Sequence, residues 1–347
     1  MKLRVSSWCA AAAALASLLS ACGGGEQFEP FHPVRIIAFG DEVSVIDDST
    51  SAAPDTGAAP LAGQQAGNGR KYTVNALTLT DGNITADSKL DCASNLIWIQ
   101  YLSSIYGLTF PQCNPKSVTA TNVIMAKKGA HVAAAYVSPP VPGFGMSVTA
   151  QIDQFMATDA FSGKDLVTVL AGAHDVVDQY ALVRQGQISE DQAVATMEAI
   201  GTQLAQQVNR IANAGGKVVV TTIPDVGTTP YAVAEEVAHA GSAALLSRLT
   251  SRFNVKMRTG LINDGRRIGL MLADESFSSI VKYGGTTYAS VLLPVCNVSP
   301  VESCTTATLV ANGTSMNYLW ADKLLPSPAG HQTLGSLVSS RAQGNPF

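Results

Sequence analysis

Charge is scarce in this chain. Of its 347 residues, 14% are Asp, Glu, Lys or Arg and 6% are aromatic, whereas 46% are hydrophobic. A disordered chain shows the opposite balance, so the bulk of this one has enough apolar surface to bury a core. No run of five or more basic residues occurs, and the formal net charge is -4 with a pI near 5.7. Nucleic acid is thereby excluded as a partner, because no cationic face is available to neutralise phosphates. Beyond the first twenty residues, nothing approaches the ~18 continuous apolar residues of a transmembrane helix. Six cysteines are present, none in a CxxC pair or a Cys/His cluster, so zinc spacing is lacking. Nothing in the sequence calls for a metal or a cofactor.

The amino terminus is the most legible segment. Lys2 and Arg4 give a positive region, Ala10 to Leu19 an apolar one, and Leu19-Ser20-Ala21-Cys22 a small-residue cleavage site ending in cysteine. This resembles a bacterial lipobox. Cleavage before Cys22 makes 1–21 a signal peptide and leaves Cys22 to carry acyl chains that anchor the protein to a membrane. An ordinary secretory signal that happens to contain cysteine is the alternative. Gly23, where aspartate would favour inner-membrane retention, points by analogy with lipoproteins to the outer membrane of a bacterial cell envelope. Residues 22–33, Gly-rich and then Pro-punctuated, suit a flexible tether, and 34–347 read as a single domain.

With Cys9 removed and Cys22 lipidated, Cys92, Cys113, Cys296 and Cys304 remain. An even number in an exported chain suggests disulfides. Of three possible connectivities, Cys92 with Cys113 and Cys296 with Cys304 is favoured because each closes a short local loop.

Short apolar runs rich in β-branched residues alternate with helical patterns. Val34 to Phe39, Asn122 to Ala126, Leu166 to Ala171, Lys217 to Ile223 and Ile268 to Ala273 fit strands covered on both faces. Glu190 to Ala214 reads as a helix opened by the capping box Ser189/Gln192 and closed by Gly215-Gly216. Tyr231 to Leu261 reads as a second long helical stretch, broken near Gly241. The expected fold is an α/β domain, a three-layer α/β/α sandwich on a parallel sheet of about five strands. Asp47 to Gly69 and Thr286 to Asn317 read as irregular insertions. Ligands of such sheets bind beyond the carboxyl ends of the strands, which directs attention to the loops there.

Those loops hold Gly40-Asp41-Glu42-Val43-Ser44, then Lys128-Gly129-Ala130-His131-Val132, then Gly172-Ala173-His174-Asp175. Near the carboxyl terminus stand Trp320-Ala321-Asp322-Lys323-Leu324-Leu325-Pro326 and Ala329-Gly330-His331. In this order and spacing they resemble the four blocks of the SGNH (GDSL) ester hydrolases, across essentially the whole exported domain. The resemblance implies a flavodoxin-like parallel sheet. It also implies a serine nucleophile in the first block, oxyanion donors from a second-block glycine and a third-block asparagine, and a final Asp-x-x-His. A serine hydroxyl is inert until an imidazole takes its proton, and the tetrahedral oxyanion needs preorganised donors.

Carried over by position, Glu42 stands at the nucleophile, Gly129 at the glycine, His174 at the asparagine, Asp322 at the acid and Leu325 at the base. His174 can still donate a hydrogen bond. Leu325 cannot take a proton, and the Glu42 carboxylate is a poor nucleophile that repels an oxyanion. Losing serine or histidine in a comparable triad costs on the order of a million-fold in turnover. Ser44 as nucleophile with His331 as base is a conceivable rescue; the plainer reading has Ser44 tying its loop and His331 opening the last helix. A Glu42/Asp322 carboxylate pair, or a metal on Glu42, His174 and Asp322, are further possibilities. For the remainder the plain readings are that Asp175 ties its loop, that His131 and His239 are surface or satisfied histidines, and that Trp98 and Tyr101 form a helix's core face. The expectation is a pseudo-enzyme of the ester-hydrolase fold, lipid-anchored, binding an acyl-ester or glycan ligand or another protein, with weak or unconventional ester hydrolysis as the alternative.

Overall fold

A run such as RIIAFG has no polar face to turn to water beyond its first residue, so it is stable only between two layers. It forms strand β1 (Arg35–Gly40), whose residues 36–39 are fully buried. The computed structural model describes residues 30–47, 70–83, 85, 88–113, 121–133 and 145–344. The signal-peptide reading, Cys22, most of the tether and most of the first insertion lie outside the described residues.

After β1 come β2 (Ile46–Asp47) and β3 (Arg70–Lys71), a short antiparallel pair, then helix α1 (Trp98–Ile105), β4 (Val123–Ile124) and α2 (Val148–Thr158). The chain continues through β5 (Asp165–Leu170), α3 (Ala173–Arg184), α4 (Glu190–Asn213), β6 (Lys217–Thr221), α5 (Pro230–Ala238) and α6 (Ser242–Gly260). It ends with β7 (Ile268–Met271), α7 (Ala273–Tyr283), β8 (Ser290–Pro294), β9 (Tyr318–Trp320) and α8 (Pro328–Ala342). The central sheet has the order β4-β1-β5-β6-β7 with every neighbour parallel. Helices α2, α4 and α6 cover one face and α1 with α8 the other, giving the expected α/β/α sandwich.

The helix boundaries follow local chemistry. Ser189 caps α4 by accepting from the Gln192 amide at 3.2 Å, while the Gln192 side chain accepts from the Ser189 amide at 2.8 Å. The expected break near Gly241 separates α5 from α6, with Gly241 at φ 91°. The expected strand 122–126 is shorter in the sheet. Met125 and Ala126 both donate to the Ala38 carbonyl, which ends the regular ladder after Ile124. The second insertion is not wholly irregular, since its β8 pairs in parallel with β9. Disulfides join Cys92 to Cys113 and Cys296 to Cys304.

Two contacts at opposite ends of the sheet fix its register. At the amino end, the Arg35 guanidinium donates twice to the Asp165 carboxylate, at 3.1 and 2.9 Å, clamping β1 to β5. At the carboxyl end, Gly40 adopts φ 136°, and a Cβ there would lie 1.9 Å from the Leu170 carbonyl oxygen. Only glycine fits, because side chains avoid this backbone region and the space is already filled. Gly40→Ala is expected to lower stability by about 2–4 kcal/mol, read as a shift in urea midpoint at unchanged slope.

Candidate functional site

The carboxyl ends of β1, β4 and β5 meet at one edge of the domain, and the site is assembled there. Gly40 is held from both sides by the buried Gln151 amide, which accepts from the Gly40 N–H and donates to its carbonyl, each at 2.9 Å. Asp41 then caps a short 3₁₀ turn over Glu42–Ser44, its carboxylate accepting from the Val43 amide at 3.1 Å. The turn carries Glu42 inward, where it is only 5% exposed.

Glu42 lies against the two groups expected to donate to an oxyanion. Its Oε2 accepts from the Gly129 amide at 2.9 Å. Both of its oxygens stand 2.9 Å from His174 Nε2. Gly129 has φ 69°, which turns its N–H toward the site, and His174 is the second residue of α3.

The charges follow from that geometry. Burial works against the Glu42 anion, but the His174 charge, its hydrogen bond and the Gly129 amide overcome it and hold the carboxyl below its ordinary range. Burial likewise works against an imidazolium, and the adjoining Glu42 carboxylate raises His174 well above neutrality all the same. The pair is therefore ionised at pH 7, with His174 Nε2–H as the donor. Two neighbouring carboxyls move the other way. Burial, then the Glu42 charge, pushes Asp41 up to about 7. Burial pushes Asp175 up to about 6, partly offset by His131 and by the Val132 amide that Asp175 accepts at 3.2 Å.

The fourth block completes the rim. The Asp322 Oδ1 accepts from the Leu324 and Leu325 amides at 2.9 and 2.7 Å, so this carboxylate closes its own loop. Burial raises its pKa against those two bonds, with the Glu42 charge adding to the rise. Leu325 lines a cavity of about 40 Å³ together with Asp41, His174, Ile223, Trp320 and Leu334. The cavity is narrow and mostly apolar, far below the ~300 Å³ and more of a pocket for a drug-sized ligand.

Ser44 and His331 do not join this group. Both are fully buried and both turn to Trp98. Ser44 Oγ accepts from the indole Nε1–H at 3.1 Å, and His331 Nδ1 accepts from the Trp98 backbone N–H at 3.3 Å. Burial, then the charge of Lys71, lowers His331 to about 3. A serine and a histidine each serving the same tryptophan are structural groups. Among the described residues, no three His, Cys, Asp or Glu side chains are arranged to hold a metal ion. Glu42 and His174, two of the three ligands considered for one, bond directly to each other.

The family model for GDSL-like lipase/acylhydrolase matches residues 79–338, three quarters of the chain. The chain belongs to this family. The matched span takes in Gly129, His174, Asp322 and Leu325 and starts beyond Glu42. Similar solved structures include three of the acetyl xylan esterase Axe2 from Geobacillus stearothermophilus, one of them a catalytic mutant. Each is 12% identical; they cover 94%, 93% and 94% of their own chains and 89%, 89% and 90% of this one, with TM-scores of 0.38, 0.36 and 0.36. No curated protein sequence matches this one.

Of the two readings offered for His131, surface or satisfied, the structure shows the second: it is buried and its Nε2 stands 2.8 Å from the Asp178 carboxylate. Its ring centroid is 5.8 Å from that of His174. Gln151 lies 111 positions from the Gly40 it clamps, a pairing that one sequence cannot signal. Asp41 could have been suspected from its place between Gly40 and Glu42.

Proposed function

We propose that this chain is a catalytically silent member of its family, a lipid-anchored component of the bacterial cell envelope that binds a ligand or partner on a hydrolase scaffold. One observation carries the reading. The Glu42 carboxylate accepts hydrogen bonds from the Gly129 amide and from His174, so a fixed anion of the protein occupies the donors that an ester's oxyanion would need. The loss is compounded on both sides. A carboxylate replaces the nucleophilic hydroxyl, and Leu325 stands where a base would have to accept the proton. The apolar wall around Leu325 favours the acyl group of an ester over a glycan as the moiety bound. The anchor rests on Leu19-Ser20-Ala21-Cys22, and no described helix is long and apolar enough to cross a membrane.

Purified protein assayed on short-chain aryl esters is expected to show no turnover above buffer and no labelling by a serine-directed phosphonate. Turnover abolished by the phosphonate would show a working serine and overturn the proposal. Turnover abolished by a chelator instead would establish metal-dependent hydrolysis.

A further inference from the structure

Because β1, β5, β6 and β7 are parallel, their amino ends share one pole of the domain, opposite the Glu42–His174 site. The last turns of α4 and α8 reach the same pole. Arg267, just before β7, bonds Asn213 at the end of α4, and Arg341 near the end of α8 donates to the Gly265 and Ile268 carbonyls. The segment after α7 arrives there too, because the amino end of β8 pairs with that of β9, whose carboxyl end leads to Asp322.

This pole is charged unlike the rest of the chain. Its segments, 30–35, 157–165, 209–217, 261–268, 281–290 and 339–344, hold eight Lys and Arg against three Asp, net +5 in a chain of formal net charge -4. Two of the three aspartates bond Arg35, Asp165 from a buried position and Asp159 from an exposed one, so both are paired within the pole. Lys164, Arg266 and Lys282 are exposed. Beside them, Tyr283 is 69% and Val34 52% exposed, and Lys282 Nζ stands 5.1 Å from the Tyr283 ring centroid. Cations flanked by an exposed tyrosine and an aliphatic side chain match the two zones of a bilayer interface, anionic headgroups and the layer where amphipathic rings settle.

We propose that this basic pole lies against the anionic headgroups of the membrane, turning the Glu42–His174 edge away from the bilayer. The orientation rests on the lipid-anchor reading. Twelve residues lie between Cys22 and Arg35, at most about 45 Å of extended chain from one to the other. That is short against the roughly 50 Å breadth of a domain this size, so the pole where β1 begins is the one held at the leaflet.

The mature chain from Cys22, carrying Cys22→Ser so that acyl chains contribute nothing, is tested by co-sedimentation with phosphatidylethanolamine/phosphatidylglycerol vesicles and with phosphatidylcholine vesicles. The described fold begins at Pro30, so this chain retains all of it. The expected result is at least tenfold tighter binding to the anionic vesicles at 50 mM NaCl, lost at 500 mM. Lys164→Glu/Arg266→Glu/Lys282→Glu should weaken it on the order of tenfold or more. A charge-matched set away from the pole, Arg248→Glu/Arg252→Glu/Lys323→Glu, should leave it within about threefold. No preference for anionic vesicles, or equal loss in both triple variants, would overturn the proposal; wild-type salt dependence tests it without any variant. The intact mass of cell-derived protein tests the anchor separately. An unacylated terminus would overturn the orientation, and an acylated protein whose pole ignores anionic lipid would overturn the headgroup contact alone.

Discussion

Glu42→Ser combined with Leu325→His is expected to produce a measurable esterase, at least ~10³-fold faster on short-chain aryl esters than either single variant. The single substitutions should remain near background, because nucleophile and base act as a unit and either alone has no partner for the proton. The scaffold for the exchange is largely present. Removing the Glu42 carboxylate frees the Gly129 amide and His174, which it now engages at 2.9 Å. Leu325 borders the same cavity as His174, and histidine is close to leucine in volume. Asp322 already bonds the Leu325 amide at 2.7 Å, which places a carboxylate beside the incoming ring. A phosphonate should then label the double variant and spare wild type. A folded double variant that remains inert would show that Leu325 does not reach the position a base requires.

His174→Ala is expected to lower stability by about 3 kcal/mol at pH 7, because it strands the buried Glu42 carboxylate with the Gly129 amide as its remaining donor. Glu42→Leu added to His174→Ala should recover most of that loss, since an apolar replacement leaves no unpaired charge. The pH dependence separates this from simple loss of packing. In wild type the folded Glu42 value lies below its unfolded one, so its contribution is complete above about pH 4.3 and fades as pH falls through the folded value. The folded His174 value lies above its unfolded one, so its contribution is complete below about pH 6.5 and fades as pH rises through the folded value. Asp41 and Asp175, raised to about 7 and about 6, bind protons in the native state that the unfolded chain releases near pH 4, so each lowers stability as pH climbs from about 4 to 7. Thermal midpoints should therefore peak well on the acid side of neutrality, near pH 4, where the Glu42 gain ends and the Asp41 and Asp175 losses begin. In His174→Ala, Glu42 loses its counter-charge and its pKa rises by burial, so the fall from pH 4 to pH 7 should steepen. An unchanged profile would mean that the pair is not ionised in the fold.

Much of this molecule is legible in its sequence. The apolar β-branched runs announced a parallel sheet because a strand covered on both faces has no polar alternation to offer, and β1, β5, β6 and β7 all form where such runs stand. The Ser189/Gln192 box and Gly241 set helix ends through local backbone chemistry, which adjacent residues contain in full. The edge strand β4 was less legible: Asn122 to Ala126 has strand composition, but only Val123 and Ile124 pair, because Met125 and Ala126 both turn to the Ala38 carbonyl. Spacing of the four blocks identified Glu42, Gly129, His174, Asp322 and Leu325 as a set.

Their relation to one another was not in the spacing. The sequence placed a carboxylate and a leucine where the family resemblance implies a hydroxyl and an imidazole, and the proposal that the usual proton transfer is lost starts from those two positions. Only the tertiary structure decided that Glu42 turns inward onto Gly129 and His174, and that Ser44 and His331 are taken up by Trp98. The physical reason is that strands distant in sequence bring these groups within hydrogen-bond reach, and a buried anion must take whichever donors packing leaves beside it.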